Sequence, residues 1–145
     1  MGNQDVTTHK FAAVLNKKAE IGKVLNALGH ISLGLVASAT EQEKKDMAFI
    51  SYKDKNGDEY PNLSLNSYII LRGDNSNQIR TLRKACIEKG IRFVAMTAEM
   101  QVGTFEEQLS NISTLADEEL EYVGIVMFGP IPEVSELTKK FRLWY

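Results

Sequence analysis

FAAVLNKKAEIGKVLNALGHISLGLV, residues 11–36, decides the fold. Phe11–Leu15 is a short, wholly apolar run with the length of a strand buried on both faces. The charged loop Asn16–Gly22 follows, and then a helix over about Ile21–Ala39. At about 100° per residue, Ile21, Val24, Leu25, Leu28, Ile31 and Leu35 fall on one side of this helix. Lys23, Asn26, Ala27, His30 and Gly34 fall on the other. One greasy stripe opposite a small, polar, cationic groove suits a helix packed on a sheet with a site behind it.

Working outward, the chain alternates strands and helices. MAFISY (47–52), SYIILR (67–72), IRFVAM (91–96) and LEYVGIVMF (120–128) read as strands. Asn56-Gly57 is a hairpin turn whose two central positions favour φ > 0. Glu41–Asp46 reads as a polar connector and Pro61–Asn66 as irregular chain. A second helix over about Asn77–Lys89 is capped by Asp74, Asn75 or Ser76 and ended by Gly90, with Ile79, Leu82, Cys86 and Ile87 inward. Thr104–Ile112 reads as an acidic amphipathic helix. Gly129-Pro130 breaks the last long strand, and Pro132 suits the first turn of a helix over 132–140. The apolar end, Arg142–Tyr145, docks onto the body. Residues 1–8 read as a loose tail on a single domain spanning 1–145. The alternation makes this an α/β protein, a sheet covered by helices on both faces.

Composition bounds the function. A chain of 145 residues with 43% hydrophobic and 25% charged residues is long enough for one real core and unlike a disordered chain. No apolar run reaches membrane-spanning length, and the polar start MGNQDVTTHK lacks a signal peptide's apolar stretch. One cysteine allows no internal disulfide. Together these point to the cytoplasm, with no membrane partner. Residues 1–92 carry 14 Lys/Arg against 10 Asp/Glu, and residues 93–145 carry 3 against 9, which together give the net −2. A pI of about 5.7 and the absence of a basic stripe argue against a dedicated RNA-binding protein. Contact with tRNA would be weak and salt-sensitive, through a local patch such as Arg80, Arg83 and Lys84.

Gly22-Lys23 is not a phosphate loop: Lys17 stands where the first glycine is needed and Val24 where Ser or Thr should hold magnesium. No GxGxxG, CxxC, HExxH or GxSxG occurs, so no metal and no cofactor is expected. Cys86, on an inner helix face, reads as a buried structural thiol.

Residues 10–36, with Gly22-Lys23 and His30 seven residues later, are similar to the opening of type-II peptidyl-tRNA hydrolases. FGPIPEVSELTKKFRLW (128–144) resembles their closing strand, Gly-Pro and helix, through Gly129-Pro130, Leu137-Thr138 and Leu143. The chain from about Lys10 to Trp144 more closely resembles the domain-of-unknown-function family numbered two thousand. It does so through YIILRG (68–73), Thr97–Met100, LEYVGIVMFGP (120–130) and LTKKFRLW (137–144). The resemblance implies a peptidyl-tRNA hydrolase II-like fold: a three-layer α/β/α sandwich around a mixed, mainly parallel sheet of four or so strands. It also implies a homodimer, for which Trp144 and Tyr145 are candidate anchors.

In the hydrolases, catalysis is ascribed to the helix-one lysine with an aspartate and a threonine near the strand matching Ile91–Met96. Lys23 matches the lysine. The Asp-Ala-Gly-x-Thr stretch is replaced by Met96-Thr97-Ala98-Glu99-Met100, and Ala27 stands where the hydrolases carry glutamine. The candidate catalytic residues are thus Lys23, His30, Thr97 and Glu99. Lys23 would supply a phosphate contact or an oxyanion donor, and Glu99 or His30 a base. Lys23, Asn26 and His30 are the candidate ligand-binding residues, expected to share a pocket with Thr97 or Glu99. The functional expectation is an anionic small ligand at a Lys/His groove without established catalysis. The alternative is hydrolysis of peptidyl-tRNA or a related acylated substrate.

Overall fold

The computed structural model describes residues 7–145. The tail expected over 1–8 lies mostly outside the described residues. Thr8 is tied down, its carbonyl accepting the Ile131 N–H at 3.0 Å. Seven strands and five helices follow: β1 (His9–Asn16), α1 (Ile21–Ser38), α2 (Glu41–Asp46), β2 (Phe49–Lys53), β3 (Glu59–Ser64), β4 (Tyr68–Gly73), α3 (Ser76–Lys89), β5 (Arg92–Thr97), α4 (Phe105–Ser113), β6 (Tyr122–Pro130), α5 (Ile131–Thr138) and β7 (Arg142–Leu143).

The main sheet has the order β5-β6-β1-β4-β7. Only β1 and β4 run parallel; β1–β6, β5–β6 and β4–β7 are antiparallel. The sheet is therefore mixed, as expected, but not mainly parallel, and it has five strands. A strand covered on both faces is a continuous apolar run whichever way its neighbours point. Tyr122–Gly129 of β6 is buried throughout yet wholly antiparallel. The fifth strand is the two-residue β7, which docks the C-terminus as expected. The Trp144 N–H donates to the Ile70 carbonyl at 3.0 Å, while Tyr145 stays exposed.

Two cores flank the sheet. Phe11, Ala13 and Leu15 of β1 pack with Val24, Ala27, Ile31 and Leu35 of α1. Ala12 and Val14 pack with Ile79, Leu82 and Cys86 of α3 and Val134 of α5. The stripe of α1 is rotated from the expected one. Ala27 is fully buried, whereas Ile21 and Leu25 are more than half exposed. Small residues explain the rotation. A side chain at Gly34 would come within 3.3 Å of Val94 on β5, and one at Gly124 within 3.5 Å of Ile31 on α1. The helix thus sits close over β5 and β6 and turns its larger residues toward the uncovered flank.

Local chemistry accounts for the other differences. Glu41–Asp46 is a helix, started by a capping box between Thr40 and Glu43. Pro61 lies within β3, paired with Ser51 beside a register shift. The hairpin turn has only Gly57 at positive φ (87°). The Gly57 N–H donates to the Asp54 carbonyl and the Asp54 N–H to that of Asp58, which makes a three-residue loop rather than the two-residue one expected. Asn75 caps α3 and Gly90 ends it at φ 67°, but Ile87 points outward. β6 continues through Pro130, and α5 begins at the next residue. The 18 residues of α1, with mean hydropathy 1.3, are long and apolar enough to cross a membrane, contrary to the sequence reading. In this fold their apolar stripe is spent on the sheet.

Substitution separates the two readings of α1. Ala27→Leu should overpack the core and cost about 1–3 kcal/mol. Leu25→Gln should change stability by no more than about 0.5 kcal/mol, as at a surface position. Urea unfolding measures both, and the opposite order would contradict the packing described.

Candidate functional site

The last rung of the parallel pair joins two loops. Asn16 of β1 is in register with Gly73 of β4, and the Lys17 N–H donates to the Gly73 carbonyl at 3.0 Å. Beyond this point the chain leaves β1 for α1 on one face, and leaves β4 for α3 on the other. Adjacent parallel strands whose connections part to opposite faces leave a crevice at their carboxyl ends, where open α/β sheets bind ligands. Gly73 helps set it: a side chain there would approach Val14 at 3.3 Å and Ile79 of α3 at 3.5 Å.

A cleft of about 390 Å³ occupies this place, lined by Lys17, Arg72, Asp74, Gln78, Lys140, Phe141 and Arg142. Four cations thus face one carboxylate. Lys17 Nζ lies 3.2 Å from Asp74 Oδ1. The Gln78 amide accepts from the Asp74 N–H at 2.8 Å and donates to its carboxylate at 3.5 Å. The hydrogen bond and charge of Lys17, aided by Gln78 and the charge of Arg72, hold the Asp74 carboxyl below its ordinary value despite some desolvation. Lys140 Nζ rests 5.4 Å from the Phe141 ring centroid. Arg72 and Arg142 are direct cross-strand partners in β4 and β7. Like charges directly opposite destabilise a strand pair. Among the described residues, no carboxylate lies within 4.0 Å of either guanidinium.

The residues singled out from sequence do not gather here. Lys23, Asn26 and His30 share an exposed flank of α1. Gln101, not foreseen, reaches that flank: its amide donates to the Lys23 carbonyl at 2.8 Å and to Asn26 Oδ1 at 3.2 Å. Glu99 points its carboxylate at the Glu121 N–H (3.2 Å). Thr97 is fully buried and in register with Tyr122, which packs in the α3-side core. The expected shared pocket with Thr97 therefore does not form. Strand alternation is the cause. It puts the Thr97 side chain on the face opposite α1, and one residue earlier Met96 packs on the α1 side. Cys86 is buried, and desolvation pushes its thiol up to about 12, which leaves no thiolate for nucleophilic chemistry. No three of His, Cys, Asp and Glu cluster as metal ligands among the described residues.

Sheet, crevice and cationic lining define an α/β protein with a cationic cleft at the carboxyl ends of β1 and β4. Over residues 9–145 the chain matches the family described as "Protein of unknown function (DUF2000)", and it belongs to that family. A solved structure, the protein of unknown function Atu0240 from Agrobacterium tumefaciens, superposes with a TM-score of 0.78 at 20% identity. That match covers 97% of this chain and 100% of the other, and it establishes likeness of fold. No curated protein sequence matches the chain.

The Lys17–Asp74 contact gives a direct check. Carboxyl-carbon NMR should find Asp74 titrating below the ordinary 3.8, and Lys17→Met should move it up toward that value. An unchanged titration would mean the ion pair does not form in solution.

Proposed function

We propose that this protein binds an anionic small ligand in the cleft at the carboxyl ends of β1 and β4, on a peptidyl-tRNA hydrolase II-like, three-layer α/β/α fold. The supporting observation is the Arg72–Arg142 cross-strand pair, two cations at directly opposed strand positions that line one cleft with Lys17 and Lys140 and, among the described residues, have no carboxylate within 4.0 Å. An anion between them relieves the repulsion, and their guanidinium forks match its oxygens. The anion is assigned to this cleft rather than to the α1 flank. Lys23, Asn26 and His30 lie on an open surface, whereas Lys17, Arg72, Lys140 and Arg142 converge. The separation of Thr97 from Lys23, and the engagement of Glu99 by the Glu121 N–H, favour binding over hydrolysis.

Calorimetric titration with inorganic phosphate tests this. Arg72→Gln should weaken binding at least about tenfold, the scale of one charge-assisted hydrogen bond, and Lys23→Gln should leave it unchanged. The reverse pattern would move the anion to α1 and overturn the assignment. An N-blocked aminoacyl-tRNA should stay intact with the purified protein. Release of its acyl group, abolished by Lys23→Ala, would establish the hydrolase alternative instead.

A further inference from the structure

Resting on the anion-site reading above, we infer that the ligand is a small phosphate monoester of a hydroxylated alcohol, its phosphate clamped between Arg72 and Arg142. Charge is the first reason. Lys17 pairs with Asp74, whereas among the described residues no carboxylate lies within 4.0 Å of Arg72, Arg142 or Lys140. A monocarboxylate carries one charge, and although its two oxygens can accept from both forks, it offsets only one of the cations. A phosphate monoester is close to doubly charged at neutral pH and presents three oxygens in a tetrahedron. Two arginines projecting from directly opposed positions of β4 and β7 can each take an edge of it, and Lys140 can meet the third oxygen.

Size is the second reason. The cleft of about 390 Å³ lies at the lower end of small-molecule sites, roughly 300–1,000 Å³, so it holds more than a bare phosphate and less than a large cofactor. The rest of the wall is Asp74, Gln78 and the Phe141 ring. Asp74 is fixed by Lys17 and Gln78 and stays ionised, which makes it an acceptor for a hydroxyl and a repellent for a second carboxylate. That combination favours an alcohol phosphate over a dicarboxylate of equal charge. Arg142 comes from the short C-terminal strand, so β7 completes the clamp as well as ending the sheet.

The test titrates the full-length protein with glycerol 2-phosphate, inorganic phosphate and malonate at one ionic strength. Glycerol 2-phosphate should bind at least tenfold more tightly than malonate, and more tightly than inorganic phosphate. Arg142→Lys keeps the charge but removes the fork, and should cost about tenfold for glycerol 2-phosphate with little effect on malonate. Circular dichroism and the melting temperature confirm that the variant is folded. Malonate binding as tightly as glycerol 2-phosphate, still dependent on Arg72, would refute the phosphate-ester inference and leave the anion site standing. The same holds if Arg142→Lys leaves glycerol 2-phosphate binding unchanged. No binding of any of the three would overturn both.

Discussion

The parallel pairing of β1 with β4 is the constraint on which the rest depends. β1 is buried from Phe11 to Asn16, and its alternate residues seed both cores. Because it lies mid-sheet between β6 and β4, its helix has to cross to one face while the helix after β4 takes the other. The crevice at their carboxyl ends is a result of that parting, not a separate construction. Lys17 and Asp74 are the first residues beyond the two strands, so they reach the crevice by position alone.

The remaining cations arrive by a different route. β7 is only two residues long, and it adds an antiparallel edge to β4 that sets Arg142 opposite Arg72. A two-residue strand contributes little stability, and placing two arginines face to face contributes less. The edge is held instead by neighbouring apolar contacts. Trp144 packs against the α1-side core, and Phe141 against the α3-side core. The like-charged pair is thus tolerated by a well-anchored segment.

Much of the fold was legible in the sequence because buried strands and capped helices leave local signals. FAAVL, SYIILR and LEYVGIVMF all fell on real strands, and Asn75 and Gly90 bound α3 as such residues should. Strand direction left no such signal, since β6 and β1 are equally apolar and only their partners differ. The rotation of α1 was hidden for a related reason: Gly34, Ala27 and Gly124 matter for the space they leave, which hydropathy does not record. The site was read less well than the fold. Lys23, Asn26 and His30 do share a helix face, but alternation along β5 puts Met96 on the α1 side and Thr97 on the other side of the sheet. Arg72 and Arg142 were in plain view within YIILRG and LTKKFRLW. Nothing in either segment says that β4 and β7 pair, and only that pairing sets the two arginines opposite each other.

The central claim is that the anion sits where β1 and β4 part. The most direct measurement follows the Nε–Hε resonances of the arginine side chains, with the backbone amides of α1, as inorganic phosphate is added. The account predicts that Arg72 and Arg142 shift together and saturate at one concentration, while Lys23, Asn26 and His30 stay in place. Saturable shifts on the α1 residues with Arg72 and Arg142 unmoved would contradict it.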